Sequence, residues 1–417
     1  MANAVLSPAV PKPAHVPDSV VYDFDMFHDP AYLADPHTRV LDLVKVAPPV
    51  LWTPRNGGHW MILSHSAIFD AARDTETFSS EVMPPALLKA MEAKLPPGSP
   101  HIPQAIPIGS DPPAHGKYRA PLNRAFSPSA INALKVSIRE LSITLIDRVA
   151  DKGRCEFMSE IAEPMAVRVF LQMLGLPVER MEDYRTLVRE HLSDSDSSLQ
   201  NVVKKLWRVT AIMRDTILER REHPRDDLIS LLWQTQIDGK PTTLDDLENY
   251  CVVLFIAGLD TVMNGMGHGL RHIARDQALQ QELRSNPKLI PEATEELLRR
   301  YTFTVPLRIV GKDAVFKGVP MRKGERVMVF LPAANLDPVQ YTNPDRFDLE
   351  RENKVHIAFN AGPHRCIGSH LARAELQIVY EQLLARLPPL RLDPERPSTF
   401  HAGHVLGIDT LHLIWDR

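Results

Sequence analysis

Apolar residues recur at intervals of three and four across most of the chain from about 110 to 300, a spacing that predicts a helical body. Ser129-Ala-Ile-Asn-Ala-Leu-Lys-Val-Ser-Ile-Arg-Glu-Leu141 and Pro164-Met-Ala-Val-Arg-Val-Phe-Leu-Gln-Met-Leu174 are two such segments. Tyr250 to Gly265 is a third, almost continuously apolar, and Leu371 to Tyr380 is a fourth. Outside that block, short runs rich in β-branched and aromatic residues predict strands: 56–63, 301–305, 308–310, 314–316 and 326–330. The mixture predicts an α+β fold, predominantly α-helical, with small β-sheets and no repeat of fixed period.

Nine prolines fall between 84 and 113, which predicts an irregular loop. A loop that long inside a compact body is commonly a lid or binding wall, the alternative being a linker. Prolines at 8, 11, 13 and 17 predict a loosely ordered N-terminal arm over 1–18, followed by a single domain over 19–417.

Composition narrows the partners. With 44% hydrophobic and 24% charged residues the chain can bury a large core, and its net charge of -4 gives no general reason to expect nucleic-acid or membrane binding. The three cysteines, Cys155, Cys251 and Cys366, are too few and too scattered for a disulfide framework. No leader is evident and no run looks long enough to cross a bilayer, so the expectation is a soluble, cytoplasmic protein, and a monomer.

Candidate chemistry concentrates in Phe359-Asn-Ala-Gly362-Pro-His364-Arg365-Cys366-Ile-Gly368, which isolates one cysteine between glycines just before a helix. A thiolate is a charge-donating ligand for iron, glycine lets the backbone approach a flat cofactor, and a helix N-terminus favours negative sulfur. A rival metal site from His364, Cys366 and His370 lacks the second ligand pair of structural zinc. No G-x-S-x-G and no strand-linked G-x-G-x-x-G occurs, so neither a serine hydrolase nor a built-in nucleotide domain is indicated.

Ala257-Gly258-Leu-Asp260-Thr261 places an acid and a hydroxyl in the middle of the apolar helix. They form either a satisfied polar pair or, beside a thiolate loop, a proton-delivery site in which the hydroxyl opens a helical turn. Glu296 and Arg299 share a helical face, and Arg346 is a second guanidinium that could share Glu296. His115 and Arg119 stand one turn apart and, with Arg308 and His364, would supply donors for two carboxylates; surface solvation is the alternative for each.

Together these segments resemble the cytochrome P-450 haem-thiolate monooxygenases over almost the whole chain, in that family's order. The resemblance implies the P-450 fold, with haem b between two central helices. It makes Cys366 the axial iron ligand in a loop that includes Phe359 and Gly368, Asp260 and Thr261 the oxygen-activating pair, and Glu296, Arg299 and Arg346 a structural triad. His115, Arg119, Arg308 and His364 would hold the haem propionates. Further phrases, Asn56-Gly-Gly-His-Trp60, Ser110-Asp-Pro-Pro113 and Glu295-Glu-Leu-Leu-Arg-Arg300 among them, are similar to the soluble bacterial camphor-hydroxylase group. That kinship implies electrons from a separate [2Fe–2S] ferredoxin, reduced by a flavin-dependent NADH reductase, with docking contacts around Arg119 and Arg365.

Two departures bear on substrate. The camphor-anchoring tyrosine is absent before Ile106-Pro107, where His101 or Gln104 would be a replacement donor, and Pro306 stands where relatives carry an acid. By the resemblance the pocket walls would be Val253, Ile256, Ala257, Thr261, Thr304, Val305 and Val405, with Met83 or Leu87 from the lid. Such a pocket selects by shape and suits a terpenoid or norisoprenoid ketone or ester. The competing functions are a peroxide-driven peroxygenase and a non-catalytic haem sensor.

Overall fold

The computed structural model describes residues 5–193 and 199–416. Its helices start where local chemistry provides caps. Ser127 accepts a hydrogen bond from the Ala130 N–H, and Pro128 occupies the first turn of Pro128–Ala150. Thr243 and Asp246 form a reciprocal capping box that opens Leu244–Gly258. Pro128–Ala150 packs along Ser369–Arg386, which also meets Ile290–Arg300 and Asp260–Arg275.

The helical core is continuous around the apolar helix: Phe170, Leu254, Phe255, Met266, Leu376 and Tyr380 belong to one cluster of buried side chains. Close approach is built in at Gly269, where a Cβ would lie 2.0 Å from the Tyr380 hydroxyl oxygen. That hydroxyl donates to the carbonyls of Gly265 and Met266 at 2.9 and 3.3 Å, tying Ser369–Arg386 to the central helix.

A five-stranded sheet runs in the order Val50–Thr53, His59–Ile62, Arg326–Val329, Leu307–Val310, Phe78–Ser79. Its one parallel pair registers Val327 against Trp60, and the other neighbours are antiparallel. Four of the five expected strand regions are strands. The segment 301–305 is not: Thr304 makes only an isolated bridge to Val405, and Pro306 lacks the N–H that a continued ladder needs.

Three other expectations change. The proline-rich loop contains a helix, Pro85–Glu92, because proline is compatible with a first helical turn and Ala-Leu-Leu-Lys-Ala-Met-Glu are good helix formers. The arm is docked over its described part: Ser7 N–H donates to Asp25, Val10 N–H to the Pro54 carbonyl, and Val16 is buried against the sheet. Residues 1–4 lie outside the described residues. Finally, the run Leu244–Arg275 is long and apolar enough to cross a membrane, but it is the core helix pair, with 78% of its most apolar window buried inside the protein.

Candidate active site

The long apolar helix breaks at Leu259, between Leu244–Gly258 and Asp260–Arg275. The cause is local. The Thr261 hydroxyl donates to the Ala257 carbonyl at 2.8 Å, taking up a group that regular helical bonding would use. Ala257 and Gly258 are exposed although they stand amid buried neighbours, because they face a cavity. Asp260 is fixed beside them: the Asn264 amide donates to its Oδ1 at 2.7 Å and to its carbonyl at 2.9 Å. Asn264 is itself held by the Ile408 N–H at 2.8 Å. Burial raises the Asp260 pKa above the ordinary carboxylate value, against the opposing pull of His401 and the Asn264 hydrogen bond.

On the facing wall, the cysteine loop is closed by the Cys366 N–H donating to the Phe359 carbonyl at 2.9 Å. Gly362 has φ +66°, and a Cβ there would meet the Ala72 carbonyl oxygen at 2.3 Å, so only glycine passes. The surface that Cys366 exposes is cavity wall, not bulk solvent. Burial pushes its thiol pKa up, while the Gly368 N–H and the charges of Arg119, Arg373 and Arg365 pull it down. Arg373 braces the loop by lying over the Phe359 ring, 4.5 Å from its centroid, while gripping Glu295 with two hydrogen bonds of 2.6 and 2.7 Å.

Beside the thiol, His115, Arg119, Arg308 and His364 line the same cavity. Burial lowers the His364 pKa to about 3, with Arg308, His115 and Arg119 adding repulsion, and Arg308 is brought down to about 10 by burial. His115 Nε2 and His364 Nδ1 are buried without hydrogen-bond partners. Two guanidiniums and two neutral imidazoles, each imidazole with an unpartnered nitrogen, lie beside the apolar cavity; they fit the carboxylates of a porphyrin, and Cys366 fits its iron.

The cavity measures about 300 Å³ and brings together Val253, Ala257, Thr261 and Thr304 of the expected walls. Met83, Leu87, His101, Gln104, Ile256, Val305 and Val405 are not among its lining residues. Leu87 is exposed, His101 faces Asp245 and Glu248, and the Gln104 N–H donates to Asn249 Oδ1 at 2.7 Å. Among the wall residues missed are Phe303, Leu254, Leu122, Phe126, Phe170 and Met173. Helical periodicity marks the last four as core, with no signal that separates core from cavity wall.

The structural triad is also corrected. Arg299 holds Glu296 bidentately at 2.8 Å through both contacts, and the second guanidinium on Glu296 is Arg351, at 3.0 Å, not Arg346. Arg346 contributes its backbone carbonyl, which accepts from Arg299 at 3.1 Å and from Arg351 at 2.7 Å.

Glu375 lies on the cavity wall, fully buried, and burial alone pushes its pKa from 4.5 to about 8. A raised carboxyl pKa leaves stability intact below 4.5 and removes it progressively until about 8, as the unfolded chain ionises and the folded one cannot. Glu375→Gln should therefore flatten the fall in melting midpoint between about pH 5 and pH 8, adding up to about 4 kcal/mol at the upper end. Identical pH profiles for the two proteins would refute that burial.

A cysteine loop facing Thr261 across one apolar cavity, with Asp260 buried next to Thr261 and outside the cavity lining, is an arrangement suited to a haem that activates oxygen. The comparisons agree. The family model described as cytochrome P450 matches residues 150–406. Probable cytochrome P450 127A1 of Sinorhizobium fredii is 34% identical over 97% of this chain and 97% of its own. Steroid C26-monooxygenase of Mycobacterium tuberculosis is 31% identical over 82% of this chain and 91% of its own. The crystal structure of CYP101J2 is 31% identical with a TM-score of 0.86, covering 98% of this chain and 100% of that one. The chain belongs to the cytochrome P450 family; it is a P450 monooxygenase with haem b as its cofactor.

Proposed function

We propose that this monooxygenase hydroxylates a small apolar substrate, a terpenoid or norisoprenoid ketone or ester. O2 is the co-substrate, and electrons come from a [2Fe–2S] ferredoxin reduced by a flavin-dependent NADH reductase. The observation that carries the reading is the lining of the cavity, whose walls include Leu122, Phe170, Val253, Leu254, Ala257 and Phe303, with Thr261 and Thr304 as hydroxyls: such walls select an apolar ligand by shape and offer few polar anchors. Three free cysteines support a cytoplasmic location.

Haem held by Cys366, with its carboxylates on His115, Arg119, Arg308 and His364, supplies O2 activation when bound. The chain's own residues do the rest. The apolar walls exclude water and orient a C–H bond by shape. Asp260, kept protonated to higher pH by burial, holds a proton next to the break in the helix. Thr261 spends its hydroxyl hydrogen on Ala257, which leaves its oxygen free to accept a hydrogen bond on the cavity side. Exposed Arg365, whose carbonyl accepts from Arg119, offers a basic docking point for an acidic ferredoxin.

The reduced protein with carbon monoxide should give the Soret band of thiolate ligation; a band typical of neutral histidine would exclude Cys366. In a spin-shift screen, small terpenoid ketones and esters should bind, and the absence of a shift with all of them would remove that substrate class. Turnover with ferredoxin and NADH should exceed turnover with peroxide alone, and the reverse ranking would replace the reading with a peroxygenase.

A further inference from the structure

Outside the haem cavity, the segment before Pro107 meets the first turns of Leu244–Gly258 through one polar cluster. His101 Nδ1 stands 3.3 Å from Asp245 Oδ1 and 3.3 Å from Glu248 Oε2. All three ligand-type atoms lie within 4.8 Å of one another. Glu248 is fully buried; its Oε1 accepts from Arg214 Nε at 2.6 Å, and its Oε2, aimed at the imidazole, has no hydrogen-bond partner. A buried carboxylate oxygen whose nearest donor is an imidazole nitrogen 3.3 Å away, without a hydrogen bond, is poorly satisfied, a deficit that a bound cation would remove.

We infer that His101, Asp245 and Glu248 form a zinc-class divalent-cation site, distinct from the haem centre, that pins the lid segment to the central helix. The spacing is the first argument. Zinc bonds of about 2.0–2.2 Å in tetrahedral array put neighbouring ligand atoms about 3.4 Å apart, close to both His101 separations and long for a direct ionic hydrogen bond. One imidazole nitrogen with two carboxylate oxygens is a three-ligand set that leaves a fourth position for water. The second argument is orientation. His101 Nε2 faces Asn249 Oδ1 at 3.4 Å, the outer contact that fixes the tautomer of a ligating histidine with Nδ1 free for metal. Asp245, Glu248 and Asn249 recur at i, i+3 and i+4, so one helix face presents all three.

The site has a mechanical consequence. The Trp207 indole N–H donates to the His101 carbonyl at 2.8 Å, so the helix Leu199–Glu222 already rests on this segment. Pro107 and Ile108, a few residues on, are cavity wall. An ion at His101 joins that wall to the helix carrying Val253, Leu254 and Ala257 across the cavity, whatever substrate the cavity takes.

The test uses metal-stripped holoprotein titrated with zinc chloride against a chromophoric chelator. Wild type should take up one zinc per chain, and His101→Ala and Asp245→Asn should each bind at least about 100-fold more weakly. Neither change touches the haem cavity, so both variants should keep the wild-type haem spectrum. Saturating zinc should slow amide exchange over residues 99–106 in wild type and leave it unchanged in His101→Ala. Less than one zinc per chain, or equal affinity in wild type and His101→Ala, overturns the site; zinc binding without slower exchange overturns the pinning.

Discussion

Arg351→Ala is expected to leave little haem-loaded protein, whereas Arg346→Ala should express and melt almost as wild type does. Glu296, Arg299 and Arg351 are each more than nine-tenths buried, and the two guanidiniums share one carboxylate. Removing one partner from a buried ion network strands charge in a poor solvent and costs about 3–5 kcal/mol. Native proteins hold only about 5–15 kcal/mol in total. Arg351 also donates to the carbonyls of Thr342, Asn343 and Arg346, at 2.7, 3.2 and 2.7 Å, so its loss frees the loop that rests on Ile290–Arg300. The Arg346 side chain is exposed, and substitutions at such positions usually stay within about 0.5 kcal/mol. Thermal midpoints and haem content of the two variants decide the matter; an Arg346→Ala loss equal to that of Arg351→Ala would return Arg346 to the network.

The pair at 346 and 351 shows why some of the site is legible and some is not. Cys366, Asp260 and Thr261 are held by neighbours a few residues away, and spacing along the chain carries that information. Thr261 is the clearest case, since the carbonyl it captures belongs to Ala257, four residues back. Glu296 and Arg299 are legible for the same reason. Their second guanidinium arrives from a loop more than 50 residues on, where a turn at Asp348 brings in Arg351, while the sequence reading names only Arg346. Geometry alone selects between them.

The lid fails for a related reason. Proline density correctly marks 84–113 as set apart from the helical body, but it hides the helix Pro85–Glu92. It also gives no depth: the His101 side chain and the Gln104 backbone N–H meet Leu244–Gly258, the first at Asp245, Glu248 and Asn249 and the second at Asn249, and neither residue lines the cavity. The apolar positions behave differently again. Phe170 and Met173 satisfy a helical core pattern, and a cavity wall in this fold is a core surface whose opposite number is a ligand.

Asp260→Asn should lower ferredoxin-driven kcat by about 10²–10³-fold with little change in substrate KM, since a positioned proton donor contributes on that order. The amide keeps the shape and an oxygen for the Asn264 hydrogen bond of 2.7 Å, so the break in the helix and the cavity should survive. What it loses is a transferable proton. Burial gives wild-type Asp260 a raised pKa, so its acid form persists above the usual carboxyl range, and activity limited by that form should fall as pH rises through the raised value. The asparagine variant should lose that limb of the pH profile. Thr261→Ala should act on partition rather than rate: NADH consumption continues while product per NADH drops and peroxide accumulates. Added hydrogen peroxide already carries both protons, so turnover driven by it should be largely spared in Asp260→Asn. Equal losses in the ferredoxin and peroxide assays would mean that Asp260 holds the structure of the site and does not deliver protons to it.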